Sequence, residues 1–369
     1  MKVFTIFGTR PEAIKMAPLV KVFQEDKRFD VKVAVTAQHR EMLDQVLNLF
    51  SINPDFDLNI MKKKQTLGDI TTRALKGLED ILSKEKPDVV LVHGDTTTTF
   101  AGALASFYQS PPIACGHVEA GLRSYSMTNP YPEEANRVLT DHLCKYHFAP
   151  TESSRQNLLK EGIDPARIVV TGNTVVDALH RIQHINKNVP LPVEKKKDEK
   201  LITVTMHRRE SWGKPLENIC MTILRLHSKY PETRFVFPWH LNPKVREIIA
   251  PILSGLERIH LIEPLGYSDF INLLSSSYLV MSDSGGIQEE AASLRVPVLL
   301  LRSVTERPEA LDCGICKLVG TNEEVVYEEA SKLLSDKNAR DSMIPEVNPF
   351  GDGKASVRIR DFLAREWGI

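Results

Sequence analysis

His93-Gly-Asp-Thr-Thr-Thr-Thr99, Gly116-His-Val-Glu-Ala-Gly-Leu-Arg123 and Pro132-Glu-Glu-Ala-Asn-Arg137 decide how this chain is read. The run before the first of them, Asp88–Val92, is apolar and β-branched, the mark of a buried strand. Asp95 and Glu119 each follow such a strand, and Glu133 follows Pro132 where a helical pattern begins. In an open parallel sheet, loops leaving the carboxyl ends of the strands meet at one crevice. Three acids are therefore expected to face one cavity, an arrangement that tunes proton-transfer groups. Each acid also has a plainer reading. Asp95 or Thr96 suits a helix N-cap, and Glu133 or Glu134 suits the first turn of a helix, where its dipole favours negative charge.

Outward from this stretch, strand and helix patterns alternate. Lys2–Gly8 reads as a strand, and a helix is expected from about Pro11, a favoured first helical position. The turn Gly8-Thr9-Arg10-Pro11-Glu12 is neither GxGxxG nor GxxxxGK[ST], so neither a dinucleotide fingerprint nor a P-loop is present. It still outlines an anion site at a helix N-terminus, with Arg10 and Lys15 adding positive charge. Val31–Ala37, Ile113–Cys115 and Ile168–Val170 read as further strands, and 41–50 and 67–82 as helices. Gln38-His39-Arg40 falls at a strand end, on the crevice side or as a plain polar loop. Alternation of this kind predicts a mostly parallel sheet with helices on both faces.

Residues 187–200, with Pro190, Pro192 and a charge run, read as an exposed loop near a domain boundary. The alternation then restarts. Leu201–Met206 is a strand running into His207-Arg208, Phe235–Pro238 runs into Trp239-His240, and Ile259–Ile262 and Tyr278–Met281 come after them. Next is Ser282-Asp-Ser-Gly-Gly-Ile-Gln-Glu-Glu-Ala291, a strand end and two glycines before a helix. Backbone N–H groups at Ser284, Gly285 and Gly286 would face an anion there. Glu290 is placed to accept from ribose hydroxyls, and Arg307 adds charge beside the next strand end. The plainer reading is a helix begun by a glycine turn. Residues 354–367 look helical after the turn at 349–353.

Bulk properties narrow the class. A chain of 369 residues exceeds one ordinary core, so two domains are expected. Net charge is −1, with no basic stripe for nucleic acid. No apolar run reaches the roughly 18 residues of a membrane span, and the N-terminus enters a strand without a signal-peptide pattern. A cytoplasmic location is the expectation. Five cysteines form no disulfide framework. Cys313-Gly-Ile-Cys316, taken with His117-Val-Glu119, imitates a zinc-deaminase signature, but Asp312 stands where that signature has Pro and the halves lie far apart. No metal is expected.

Taken together, the chain resembles the non-hydrolysing UDP-N-acetylglucosamine 2-epimerases of bacteria. The matching stretches run in order from GTRPEAIKMAPLV (8–20) and TAQHREMLDQVL (36–47) through HGDTTTTFA (93–101), GHVEAGLRS (116–124) and PEEANR (132–137). They continue through TGNTVVDAL (171–179), HRRES (207–211) and HLNPKVRE (240–247) to DSGGIQEEA (283–291) and TERPEA (305–310). The resemblance implies an α/β fold of two Rossmann-like domains of the glycosyltransferase-B type, 1–172 and 173–353, with the active site in the cleft between them. It implies that helix 354–369 packs back on the first domain. It also implies a homodimer, free of NAD and of an essential metal, that interconverts UDP-GlcNAc and UDP-ManNAc for surface polysaccharide. Asp95, Glu119, Glu133 and His207 fall on the family's catalytic positions. Arg10, Lys15, Phe270, Ser284, Gly285, Gly286, Glu290 and Arg307 fall on its nucleotide-sugar contacts. Gln38, His39 and His240 match motifs around a regulatory site. Met206 stands where members carry Gly or Ala, and a long side chain there would crowd the sugar. A hydrolysing relative, a transferase of the same architecture and an inactive UDP-sugar sensor are the alternatives.

Overall fold

Short β-branched runs cannot bury both faces alone, and the amphipathic helices between them supply the cover. In a computed structural model that describes every residue except 38, 39, 63, 64, 186–189, 209, 210 and 306, this produces two parallel sheets. The first holds β1 (Lys2–Phe7), β2 (Asp30–Val35), β3 (Phe56–Asp57), β4 (Val89–His93), β5 (Ala114–Val118), β6 (Tyr146–Ala149) and β7 (Ile168–Val170). Between and after them run α1 (Arg10–Gln24), α2 (Arg40–Leu49), α3 (Leu67–Glu85), α4 (Thr97–Phe107), α5 (Glu133–Leu143), α6 (Glu152–Lys160) and α7 (Thr174–Ile185). The strand order is β3-β2-β1-β4-β5-β6-β7.

The second sheet holds β8 (Lys200–Thr205), β9 (Thr233–Pro238), β10 (Ile259–Ile262), β11 (Leu279–Ser282), β12 (Val298–Leu300) and β13 (Cys316–Leu318), in the order β10-β9-β8-β11-β12-β13. Its helices are α8 (Lys214–Lys229), α9 (Pro243–Leu253), α10 (Tyr267–Ser275), α11 (Gly285–Leu294), α12 (Pro308–Asp312), α13 (Glu323–Ser335) and α14 (Lys337–Asp341), and α15 (Ala355–Glu366) closes the chain. Both sheets reverse their winding beside their first strand. In sheets of this kind a ligand crevice opens at that reversal, here between β1 and β4 and between β8 and β11.

Two compact units result: Met1–Arg181 with Gly351–Ile369, and Ile182–Phe350. Position 172 thus lies inside the first unit. Asp177 on α7 explains why α7 and α15 stay together, since its carboxylate accepts the N–H of Ala355 (3.2 Å) and Ser356 (2.8 Å). These are the first N–H groups of α15, the ones a helix cannot satisfy itself. α15 lies against α1 and buries Ile359, Phe362 and Leu363. The Phe362 ring meets Tyr146 and Phe148 edge-on, with centroids 5.3 and 5.7 Å apart. The second unit is filled by Ile202, Val204, Leu216, Ile219, Phe235, Phe237, Leu279 and their neighbours. Met206 belongs to this core and is buried, so its long side chain turns inward, beneath the strand end, where sequence alone would let it crowd a ligand.

Candidate active site

In the first unit the reversal brings together the turn after β1 and the loop after β4. Gly8 is required there by close approach, because a Cβ on it would lie 2.0 Å from Thr36 Oγ1. The N–H groups of Gly8 and Thr9 do not await an external anion. Both donate to Glu12 Oε2, at 3.1 and 2.7 Å, while Thr96 and Thr99 donate their hydroxyls to Oε1 at 2.7 and 3.1 Å. Burial pushes the Glu12 carboxyl up, against these hydrogen bonds. The anion site outlined by Gly8–Glu12 is therefore filled by the chain's own carboxylate. Arg10, at the start of α1, is half-buried.

The acids stand where their strands end. Gly94 follows β4, and Asp95 follows it. A Cβ on Gly94 would lie 3.8 Å from Glu119 Oε1, so the two loops adjoin. Asp95 pairs with Arg137 on α5, and Asn136 donates to the Asp95 carbonyl at 3.0 Å. Glu119 is held in the left-handed region at φ 66°, a conformation that costs a non-glycine residue of order 1 kcal/mol and collects at working sites. Its Oε2 is gripped by the buried Lys15 and by Asn173 Nδ2 at 2.7 Å. Glu133 opens α5. Its neighbour Glu134 serves the scaffold, accepting the N–H of Ser124 and Tyr125 (3.0 and 2.8 Å) and an Arg137 nitrogen (2.9 Å).

Under these loops lies a buried ionic string. His117 Nε2 meets the Gly94 carbonyl at 2.7 Å, and Nδ1 meets Asp141 Oδ1 at 2.6 Å. Arg123 bonds the other Asp141 oxygen at 2.6 Å and reaches outward to Glu161. Burial pushes the Asp141 carboxyl up, but His117 and Arg123 outweigh it and hold it well below the usual carboxylate range. His117 is thus committed inside the first unit, and Cys313 and Cys316 belong to the second. Among the described residues no three of His, Cys, Asp and Glu are grouped as a metal ion requires.

In the second unit the reversal sets the loop after β8 against the start of α11. Asp283 is fully buried and accepts the N–H of His207 (3.2 and 3.1 Å) and of Arg208 (3.1 Å). It also lies 3.1 Å from His207 Nδ1. Burial pushes this carboxyl up, and His207 and Ser211 more than offset it, leaving it below its ordinary value. With Nδ1 on Asp283, His207 offers Nε2 from a ring that is half exposed.

The start of α11 differs from that of α1. Among the described residues no side chain caps it, and its first turn carries no acid. A Cβ on Gly285 would lie 2.8 Å from Arg307 Nη1 and 3.7 Å from Arg208 Nη2, so two guanidinium groups converge at the helix start. Glu289 orients Arg307 through a 2.6 Å bond to Nε. Nothing among the described residues comes within 4 Å of a Cβ on Gly286. Uncapped N–H groups, the helix dipole and two arginines are the features that suit a diphosphate. Ser284 precedes this helix and Glu290, buried, lies within it. Phe270 lies on α10, half-buried. His240 is half-buried after β9, with Nδ1 accepting the Asn242 N–H at 3.1 Å. Gln38 and His39 lie outside the described residues.

The family model of UDP-N-acetylglucosamine 2-epimerase matches residues 21–364. The chain belongs to the UDP-N-acetylglucosamine 2-epimerase family. The epimerase of Escherichia coli K12 is 52% identical over 374 residues, spanning 98% of each chain, and that of Yersinia pestis 53% over 371 residues, spanning 97% of each. The structure of the Neisseria meningitidis epimerase bound to UDP-GlcNAc is 49% identical with a TM-score of 0.88, over 99% of this chain and 100% of that one. The Methanocaldococcus jannaschii epimerase, in complex with UDP-GlcNAc and UDP, is 36% identical with a TM-score of 0.82 over the same shares. A kitacinnamycin glycosyltransferase shares the fold alone, at 12% identity and a TM-score of 0.66, in keeping with two Rossmann-like domains of the glycosyltransferase-B type. As a member of this epimerase family the chain is an isomerase.

Several residues of the site escape a reading of the sequence. Asn173 and Arg137 bind Glu119 and Asp95 from 54 and 42 positions away. No local pattern marks such a pairing. Arg208 carried a signal, being a second base beside His207, but only the fold turns it toward Gly285.

Proposed function

We propose that the chain inverts C2 of UDP-N-acetylglucosamine to give UDP-N-acetylmannosamine by eliminating UDP and adding it back. The C2 hydrogen is not acidic, because no carbonyl adjoins it. Its removal must accompany cleavage of the C1–oxygen bond, which yields 2-acetamidoglucal and UDP. Return of UDP to C1, with a proton delivered to the opposite face of C2, completes the inversion. In this reading the start of α11, with Arg307 and Arg208, binds the diphosphate as negative charge develops on it. Stabilisation of developing charge is usually the largest contribution to catalysis. Glu290 accepts from the ribose hydroxyls, and Phe270 packs on the nucleotide. Asp95, Glu119 and Glu133 move the protons, Lys15 contacts the nucleotide sugar, and His207, set by Asp283, serves the leaving group. The same reading takes the enzyme as a cytoplasmic homodimer supplying ManNAc for surface polysaccharide, with Gln38, His39 and His240 in a regulatory site.

The observation that carries this reading is the contrast between the two reversals: α1 is closed by Glu12, while α11 is uncapped among the described residues and flanked by guanidinium groups. Proton NMR of UDP-GlcNAc in D₂O tests it. Deuterium should enter C2 while UDP remains attached. Free ManNAc would indicate hydrolysis, and nucleotide binding without any exchange at C2 would refute epimerisation.

A further inference from the structure

Asn173 stands just before α7, and it is buried. Its two amide atoms serve different elements. Oδ1 accepts the N–H of Val175 at 3.0 Å, one of the opening N–H groups that α7 cannot satisfy itself. That bond fixes which way the amide lies, because only the oxygen can accept. Nδ2 is thereby turned to Glu119 Oε2, 2.7 Å away. The backbone beneath is clamped as well. Thr171 donates its N–H to the Ala149 carbonyl, and its own carbonyl accepts from Arg358, both at 2.9 Å. A Cβ on Gly351 would lie 3.0 Å from Gly172 Cα, so this loop is pressed from the other side.

Both Lys15 and Asn173 donate to Oε2 of Glu119, and donors to a carboxylate favour its charged form. Their contributions differ. The Lys15 ammonium rides on a flexible four-carbon stem, which supplies charge more than direction. The Asn173 amide is short and locked at its other end by the helix cap, so it supplies direction. The titratable and charged groups that face Glu119 are Lys15 on α1 and His93 at the end of β4, whose Nε2 lies 3.9 Å from Oε2. Asp95 stands two residues beyond His93 and is paired with Arg137. Burial pushes His93 down to about 4, so its ring is neutral at pH 7. We propose that Asn173 is a positioning residue for the epimerisation: one amide caps α7 and, in the direction this gives it, holds Glu119 ionised and in place to move the C2 proton. The inference rests on the epimerase reading above.

Two substitutions in the full chain separate the cap from the grip on Glu119. Asn173→Ser keeps a capping oxygen but is too short to reach Glu119. Asn173→Asp keeps the cap and sets a second carboxylate against Oε2, where like charges retain a proton between them. Calorimetry should give both variants the UDP affinity of wild type within about twofold. In turnover followed by NMR, Asn173→Ser should lose at least about tenfold in kcat with KM held within about threefold. In Asn173→Asp the acid limb of kcat/KM should rise by about one pH unit or more. The rise should be equal in both directions, since the ratio of their kcat/KM values is the equilibrium constant, which does not vary with pH. A capping role alone moves neither quantity. A kcat of Asn173→Ser within about twofold of wild type, an unmoved limb in Asn173→Asp, or UDP affinity and kcat falling together overturns the inference. Should neither variant fold, side-chain amide NMR of wild type and Glu119→Gln decides. The Asn173 amide proton that bonds the carboxylate should move upfield in Glu119→Gln, and an unmoved signal overturns the inference. Wild type without deuterium exchange at C2 would instead remove the epimerase reading itself, whereas an active wild type beside unaffected variants removes this inference alone.

Discussion

Glu119 and Asp95 stand just past β5 and β4, each held by a cation from a distant element, Lys15 from 104 positions away and Arg137 from 42. Two outcomes belong at this scale. Lys15→Met leaves a buried carboxylate without its cation, a change that costs about 3 kcal/mol, read as a shift in the urea midpoint at pH 7. His93 supplies a pH dependence. Its pKa is about 4 in the folded chain against ~6.5 unfolded. Between those values only the unfolded chain binds the proton, so stability falls as pH drops from about 6.5 to about 4, by about 3 kcal/mol in all. Unfolding of His93→Gln followed over the same range should show a correspondingly shallower slope.

Among the elements, the glycine turns before α1 and α11 looked alike in sequence, and both suggested an anion site. An acid in the opening turn of the helix separates them. Glu12 comes one turn into α1 and folds back onto Gly8 and Thr9, whereas α11 has no acid in its first turn. A sequence reading sees Glu12 only as a helix-favouring charge. Gly286→Ala separates folding from binding. The open space at Gly286 accepts a methyl group, and alanine favours a helix by about 0.5–1 kcal/mol over glycine. Thermal stability should hold or rise, while calorimetry should show UDP affinity lost. Undiminished UDP binding would place the diphosphate elsewhere. Hydrogen exchange offers a second check: added UDP should slow the amides at 284–288 most.

For the whole molecule, the two α/β halves were legible from the restart of the strand–helix alternation after residue 200. The short strands β3, β6, β12 and β13 were not placed by it. Phe56-Asp57 spans two residues, and Tyr146-His-Phe-Ala149 mixes a histidine into its run, so their pairing comes from neighbours already in the sheet. Composition marks 187–200 as lying near a boundary but is blind to the carboxylate of Asp177 holding α15. Removing residues 355–369 would uncover Tyr146, Phe148 and the side of α1 beneath α15. Two or more large side chains leaving the core cost about 1.5–3 kcal/mol each. Circular dichroism melting of the truncated chain should show the first unit destabilised, with UDP binding by the second unit retained.

The return of α15 also sets an order of maturation. A ribosome makes every strand of the second unit before it makes the last helix of the first. Until then the nascent N-terminal sheet lacks the cover that Phe362 gives Tyr146 and Phe148. Its counterpart, nested within the polypeptide like a clause in parentheses, needs no residue made after Phe350.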